Sequence, residues 1–357
     1  MGLRTSRRLP TMIANLAVTY RCQSRCRTCN IWKTEETERE ELALEEYHAL
    51  FESNYDILRE VRSIQITGGE PFMRRDLPEL VSAIHASLPD CTFWIPTNGM
   101  DPRAVEEASM EMLEDLKGQG IGVSVSVDGM GPTHDVQRGV GGSFRKAMET
   151  LRRLSALREE HPRLGLTVGM TLTPQNYREA YEVYTLARRV GAEFSMRPVN
   201  FSEIYYRNMD ERRPLDDVSG ELLPLIRTIA RDTVKRKGII SSAPTLRYMQ
   251  GIVDYIRYPT HRRLPCAAGE DSFFLDPYGD VYPCIFVDEK MGNVREEQLA
   301  DLWWIDIASS IRERISRGDC PGCWVECEAY REIHRDRIGL GRTALSALIH
   351  PKTLGIK

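Results

Sequence analysis

The sequence predicts an α/β protein: a parallel sheet built from six strand–helix units, followed by a second, smaller and cysteine-rich domain. Three observations carry this. From residue 13 to about residue 200, short apolar runs alternate with amphipathic helical stretches, the order that gives parallel βαβ units. After about residue 215 that rhythm stops. Five of the nine cysteines lie in the part where it has stopped. A length of 357 residues agrees with about two domains and is long enough to bury a core without covalent staples.

Ile13 to Tyr20 reads as a strand running straight into a cysteine loop, and Leu42 to Arg59 has helical spacing. Ser63 to Thr67 is a strand, followed by Gly68-Gly69-Glu70-Pro71. Asp76 to Ser87 is helical, with Asp76 placed as its N-cap. Thr92 to Thr97 is a strand ending in Asn98-Gly99, and Pro102 to Lys117 a helix. Gly120 to Val127 is a strand ending in Asp128-Gly129, with a helix from Ser143 to Arg158 after it. Leu164 to Leu172 and Glu193 to Arg197 are the last strands, separated by a helix from about Asn176 to Val190. In barrels of this kind chemistry gathers at the C-terminal ends of the strands. Here those ends carry the cysteine loop, GGEP, TNG, SVDG and MRPVN, so polar residues and glycines stand where a ligand would be met. A helix from Asp216 to Lys237 leads to a boundary near residue 238.

Composition excludes several classes. With 41% hydrophobic and 28% charged residues and a net charge of -4, the chain is an ordinary globular one. No run of about 18 apolar residues occurs, so no transmembrane segment is expected. The slightly acidic balance speaks against nucleic acid as the main partner. Arg4, Arg7 and Arg8 are followed by Pro10 and Asn15 with no small-residue cleavage site, so no export signal is read, and Met1-Gly2 with Ser6 fits only the loose myristoylation pattern. A reducing, cytoplasmic location is the expectation, in which clustered cysteines act as metal or redox ligands. The seven histidines are scattered, no Ser-His-Asp order can be read, and no GxxxxGK phosphate loop occurs.

The cysteines fall into groups. Cys22, Cys26 and Cys29 form C-x3-C-x2-C. Cys266 and Cys284 flank CAAGEDSFFLDPYGDVYPC, and Cys320, Cys323 and Cys327 form C-x2-C-x3-C. Cys91, beside Phe93 and Trp94, reads as a small buried hydrophobe. Thiolates this closely spaced converge on zinc or iron–sulfur clusters. The first group has three cysteines and no histidine nearby. Either a distant residue completes a zinc site, or three thiolates hold a four-iron cube and leave one iron open, as a reactive site requires.

C-x3-C-x2-C after the first strand, with GGEP after the second, resembles the radical S-adenosylmethionine (SAM) superfamily over about residues 13 to 200. One departure is Thr28, where the family often has an aromatic residue before the third cysteine. The resemblance implies a partial (β/α)6 TIM-type barrel. Cys22, Cys26 and Cys29 would ligate a [4Fe–4S] cluster whose open iron is chelated by SAM. Reductive cleavage would then give methionine and a 5′-deoxyadenosyl radical, the chemistry belonging to the cofactors and the aim to the protein. The family places Gly68, Gly69 and Glu70 against the SAM amino group, where glycine lets backbone approach a ligand and Glu70 accepts hydrogen bonds. Ser126 and Asp128 are placed to hold ribose or carboxylate. Arg138, in the loop HDVQRGVGGS, suits the SAM carboxylate or an ordinary surface ion pair. Asn98 reaches the nucleoside or merely serves the turn before Gly99.

The second part resembles the SPASM/twitch type of iron–sulfur extension, through Cys266, twelve residues, Gly279, four residues, Cys284, then Cys-x2-Cys. Gly279 would turn a hairpin that brings its flanking cysteines together. Five cysteines suffice for one auxiliary Fe–S cluster, held by Cys266, Cys284, Cys320 and Cys323, with Cys327 a fifth candidate, against a structural zinc ribbon as the alternative. The expected domains are a radical SAM barrel over 1–238, the auxiliary domain over 239–335, and a tail over 336–357 that packs as a helix or touches a partner. A reductant such as ferredoxin or flavodoxin is the implied partner.

The substrate is open among small molecule, sugar, lipid and peptide. With about a dozen residues before the first strand, no separate peptide-recognition domain is read, which tilts against a leader-dependent peptide enzyme. Tyr205 and Tyr206, in NFSEIYYRNMD, would donate a proton or quench a radical, or simply pack as an aromatic pair. Asp210, Asp254 and Asp276 are equivalent candidates for a base. The alternative to an enzyme is a non-catalytic iron–sulfur or zinc protein acting as electron carrier or scaffold.

Overall fold

The computed structural model describes residues 12–34, 39–116, 118–211, 215–259 and 262–356. The basic N-terminal stretch and the Met1-Gly2 pattern lie outside the described residues. Among the described residues nine strands form one sheet: β1 Met12–Thr19, β2 Val61–Gly68, β3 Thr92–Thr97, β4 Ile121–Ser126, β5 Leu164–Leu172, β6 Glu193–Pro198, β7 Ser272–Leu275, β8 Asp280–Tyr282 and β9 Gly292–Asn293. Their order is β6-β5-β4-β3-β2-β1-β7-β8-β9. Every pair from β6 to β7 is parallel, and β7–β8 and β8–β9 are antiparallel.

The six expected strand–helix units are present, and β3 and β5 match residue for residue. The reason is clearest in β5. Leu164, Leu166, Val168, Met170 and Leu172 are buried under the outer helices. Burying each such side chain contributes roughly 1.5–3 kcal/mol. The alternate positions, Gly165, Thr167, Gly169 and Thr171, are only half-buried, as are Ser124, Ser126, Ser195 and Arg197 on the neighbouring strands. The interior of this partial barrel is therefore small and polar, where a closed barrel is filled with branched apolar residues.

Several expectations are corrected. The helix expected over 42–59 is two, Leu44–Ser53 and Tyr55–Leu58, broken at Asn54. Asn54 Nδ2 donates to Leu50 O (3.0 Å) and its Oδ1 accepts from the Ala300 N–H (3.2 Å), so a long-range contact interrupts the helix. Asp76 stands at the N-cap position of Leu77–Ser87 but does not cap it. Its carboxylate takes the buried Arg74 guanidinium instead (2.8 and 2.9 Å). Arg138 ends a helix, Pro132–Arg138, where a loop was expected.

The region after residue 238 is not irregular. Gly238, at φ 78°, joins helix Ser219–Lys237 to a second helix, Ile239–Arg257. Gly279, at φ 89°, turns the expected hairpin between β7 and β8. β7 also pairs with β1, so the cysteine-rich part continues the barrel sheet. The tail packs as a helix, Arg337–Ile349, against Ile239–Arg257, with Asp336 bound to Arg247 (2.6 Å). Among the described residues no helix is long and apolar enough to cross a membrane.

Candidate active site between two cysteine groups

The loop with Cys22, Cys26 and Cys29 leaves the C-terminal end of β1 and lies across helix Pro132–Arg138. The Arg25 and Arg27 N–H groups donate to the carbonyls of Arg138 (2.9 Å) and Gln137 (3.0 Å). A Cβ on Gly139 would stand 2.1 Å from Arg25 O, so only glycine permits this docking. A Cβ on Gly68 would lie 2.2 Å from Thr19 O, and one on Gly69 2.2 Å from Arg21 O. The two glycines thus let β2 close on the cysteine loop itself, a nearer cause than approach to a ligand.

The three thiols are neighbours inside this loop. Burial pushes Cys22 up to about 11 and Cys29 up to about 12, each further raised by Cys26, which is itself raised by burial against the pull of Arg138. Donors nonetheless face two of the sulfurs: Asn98 Nδ2 at 3.9 Å from Cys22 Sγ and Arg138 Nη1 at 3.7 Å from Cys26 Sγ. Among the described residues no three His, Cys, Asp or Glu side chains close on the geometry of a single bound ion.

The other expected site residues surround the loop. Arg138 Nη2 is held by Asp128 Oδ2 at 2.8 Å, both nearly sealed from solvent, and Arg138 Nε has no hydrogen-bond partner among the described residues. Asp128 Oδ1 accepts from the Thr171 N–H (2.8 Å), and the Asp128 N–H donates to His134 Nδ1 (3.1 Å). Burial and Arg138 push His134 down to about 4, so it stays neutral. Ser126 ends β4 beside this pair. Asn98 serves its turn, Oδ1 accepting from the Met100 N–H (2.9 Å), while Nδ2 faces the loop.

Glu70 is buried and fully engaged. Its oxygens accept from Thr97 Oγ1 (2.9 Å), the Phe72 N–H (3.3 Å) and the Asn98 N–H (2.7 Å), and burial pushes it up to about 7. It ties the end of β2 to the end of β3. A cavity of about 280 Å³ opens beside the loop, lined in part by Thr28, Gln137, Thr173, Val199, Phe201 and Asn208.

The second group forms where Cys266, Cys284, Cys320, Cys323 and Cys327 meet. Burial raises Cys266 to about 12 and holds Cys284, Cys323 and Cys327 well above the ordinary thiol value, with Glu328 adding to each. The Phe286 N–H points at Cys284 Sγ (3.5 Å) and Arg262 Nη1 at Cys323 Sγ (3.4 Å). Behind them Arg331 binds Asp271 (3.1 Å) and Glu328 (2.5 Å), all buried. Cys91 is fully buried away from both groups, as expected.

The match to the Radical SAM superfamily spans residues 16–187, and the match to the SPASM iron-sulfur cluster-binding domain spans residues 266–328. The chain carries a radical SAM domain and a SPASM domain. It is an enzyme of radical SAM type, whose domain uses a [4Fe–4S] cluster with SAM and whose SPASM domain binds auxiliary iron–sulfur clusters. The chain is similar to the antilisterial bacteriocin subtilosin biosynthesis protein AlbA of Bacillus subtilis, at 23% identity over 91% of this chain and 70% of that protein. It is similar to the PqqA peptide cyclase of Rhizobium meliloti, at 27% over 84% and 76%. The fold matches native anSMEcpe with bound AdoMet and Kp18Cys peptide, with TM-score 0.63, 15% identity, and 95% and 99% of the two chains covered.

The donor set of this radical SAM enzyme fits its cofactors. Buried thiols that resist ionisation and already face N–H donors are relieved by a metal, which deprotonates a coordinating thiol outright. The unpartnered Arg138 Nε is suited to a carboxylate.

The acids singled out from sequence do not gather at the site. Asp210 is exposed, Asp254 pairs with Arg263, and Asp276 is buried in the β7–β8 turn, accepting from the Tyr278 and Asp280 N–H groups. Tyr205 is a buried packing residue, its hydroxyl bonded to Thr67 (2.5 Å) and Gly68, and Tyr206 packs against it at 5.0 Å. Sequence reasoning missed Glu326, which is bonded to Ser195 and 3.7 Å from Arg197 on the inner face of β6. Its place beside Cys327 was the available signal.

Proposed function

We propose that Cys22, Cys26 and Cys29 hold the [4Fe–4S] cluster, and that this enzyme cleaves SAM there to a 5′-deoxyadenosyl radical that abstracts hydrogen from its substrate. The observation that carries the reading is a set of three neighbouring thiols, with no fourth cysteine or histidine beside them among the described residues, at the C-terminal ends of parallel strands. Arg138, steadied by Asp128, takes the SAM carboxylate. Asn98, Ser126 and the Gly68-Gly69 backbone border the rest of SAM, with Glu70 acting by fixing Asn98. The cavity beside Thr28 takes the nucleoside. Cys266, Cys284, Cys320 and Cys323 hold one auxiliary cluster, with Cys327 in reserve.

The domain limits that go with this reading are 1–238, 239–335 and 336–357. The substrate class is a peptide, supported by the resemblance to a peptide cyclase. The reductant is a ferredoxin or flavodoxin, and the compartment is the cytoplasm, where these thiols stay reduced.

The test is anaerobic reconstitution, iron and sulfide counting, and assay of 5′-deoxyadenosine after adding SAM and reductant. About eight irons with SAM cleavage is the expected result. Zinc, or clusters without cleavage, would sink the reading in favour of a carrier or scaffold.

A further inference from the structure

The two thiol groups are joined by the segment that follows β6, and two chains of contact cross it. In the first, Asn208 Nδ2 donates to the carbonyls of Thr28 (2.8 Å) and Asn200 (3.1 Å), and Asn200 Oδ1 accepts from the Trp324 N–H (3.2 Å). Thr28 precedes Cys29 and Trp324 follows Cys323. In the second, the Asn30 N–H, on the other side of Cys29, donates to Tyr206 O (2.7 Å). The Tyr206 ring lies 6.2 Å from the Phe286 ring, and the Phe286 N–H reaches Cys284 Sγ (3.5 Å). Asn200 and Asn208 are buried, and their remaining amide atoms hold the segment itself in place: Asn200 Nδ2 donates to Pro198 O (2.7 Å) and Asn208 Oδ1 accepts from the Ser202 N–H (3.1 Å). Both chains begin at residues flanking Cys29. They end on Cys284 and beside Cys323, two different cysteines of the second group.

We propose that the segment from Asn200 to Asn208, together with Phe286, is the electron path between the two metal-binding groups. One electron leaves one iron–sulfur group, which is oxidised by one, and enters the other, which is reduced by one. No bond forms or breaks and no proton moves. The amide arm is hydrogen-bonded throughout at 3.2 Å or less, and the aromatic arm needs one ring-to-ring step. The inference rests on both groups holding iron–sulfur clusters.

The experiment gives the reconstituted holoenzyme one electron equivalent of dithionite per chain, freezes it at successive times, and follows the two reduced signals by electron paramagnetic resonance. Tyr206→Leu, Phe286→Leu and Asn208→Ala are each expected to slow redistribution between the signals, and Tyr206→Leu with Asn208→Ala to slow it more than either change alone. Tyr206→Phe keeps the ring and is expected to keep the rate. The proposal is overturned if the double variant, carrying wild-type iron, redistributes at the wild-type rate. It is also overturned if the variants fail to load iron, since the segment is then a structural clamp. Wild-type protein without two clusters would instead bring down the functional reading.

Discussion

Arg138 and Asp128 form a buried pair at 2.8 Å whose arginine also faces the Cys26 sulfur at 3.7 Å. The carboxylate comes from the end of β4 and the guanidinium from the end of the following helix, so one ion pair fixes the position of a cation against the thiol group. Such a pair matters through what remains when one partner goes: an uncompensated buried charge costs about 3–5 kcal/mol. Asp128→Ala is therefore expected to lower stability by about that amount. Asp128→Asn, which keeps an acceptor for the Thr171 N–H, is expected to lose less. Urea denaturation of the two metal-free variants checks the order, and equal losses would refute it.

Glu70 gives a pH signature. Its folded pKa, raised by burial to about 7, lies above the ordinary glutamate value of 4.5. The folded state thus binds the proton more tightly. The stability linked to it is fully present below about pH 4.5 and is lost as pH rises to about 7, by roughly 3 kcal/mol at most. Glu70→Gln removes that slope. It also costs about 1–3 kcal/mol at low pH, because an amide cannot accept all three hydrogen bonds. The difference between the metal-free wild-type and variant stability curves isolates this group from His134, which shifts the opposite way. A difference that is flat between pH 4.5 and 7 would contradict the assignment.

Gly251 lies under the Trp324 ring, and an added Cβ would stand 1.9 Å from Cζ2. Trp324 is buried, and its indole N–H is bonded to Tyr248 O at 2.9 Å, so the ring has no room to retreat. Gly251→Ala is expected to cost about 1–3 kcal/mol or more from overpacking. It should also lower iron in the second group, because Trp324 adjoins Cys323. A melting temperature and iron content equal to wild type would contradict this.

The two thiol groups should fail independently. Cys26→Ala is expected to abolish 5′-deoxyadenosine formation while leaving about half of the iron. Cys323→Ala should remove the other half, whereas Cys327→Ala should leave most of it. Iron analysis with 5′-deoxyadenosine assay reads all three. Loss of auxiliary iron in Cys327→Ala but not in Cys323→Ala would reverse the ligand assignment.

Much of this was legible in the chain. β5 could be read to the residue because its apolar and small polar residues alternate strictly, and the thiol groups because their spacing is short. Helix Pro132–Arg138 was hidden among Gly129, Gly131 and Gly139, whose turn signals outweighed Pro132 at its first position. Glu70 was read as facing a ligand because nothing local reveals that Thr97 and Asn98, far along the chain, take its oxygens. Asn208 and Glu326 acquire their positions only from contacts made across the fold, which no window of neighbouring residues contains.

The pairing of β1 with β7 has a consequence for how the protein is made. Ile13 finds its partner, Ser272, only about 260 residues later. At 5–20 residues per second, the ribosome leaves one side of β1 bare for tens of seconds after it emerges. An apolar strand with an open row of N–H and C=O groups is a template for joining other chains. Nascent molecules are therefore expected to depend on chaperones during this interval. A chain cut at the end of helix Ser219–Lys237 would keep that exposed side permanently.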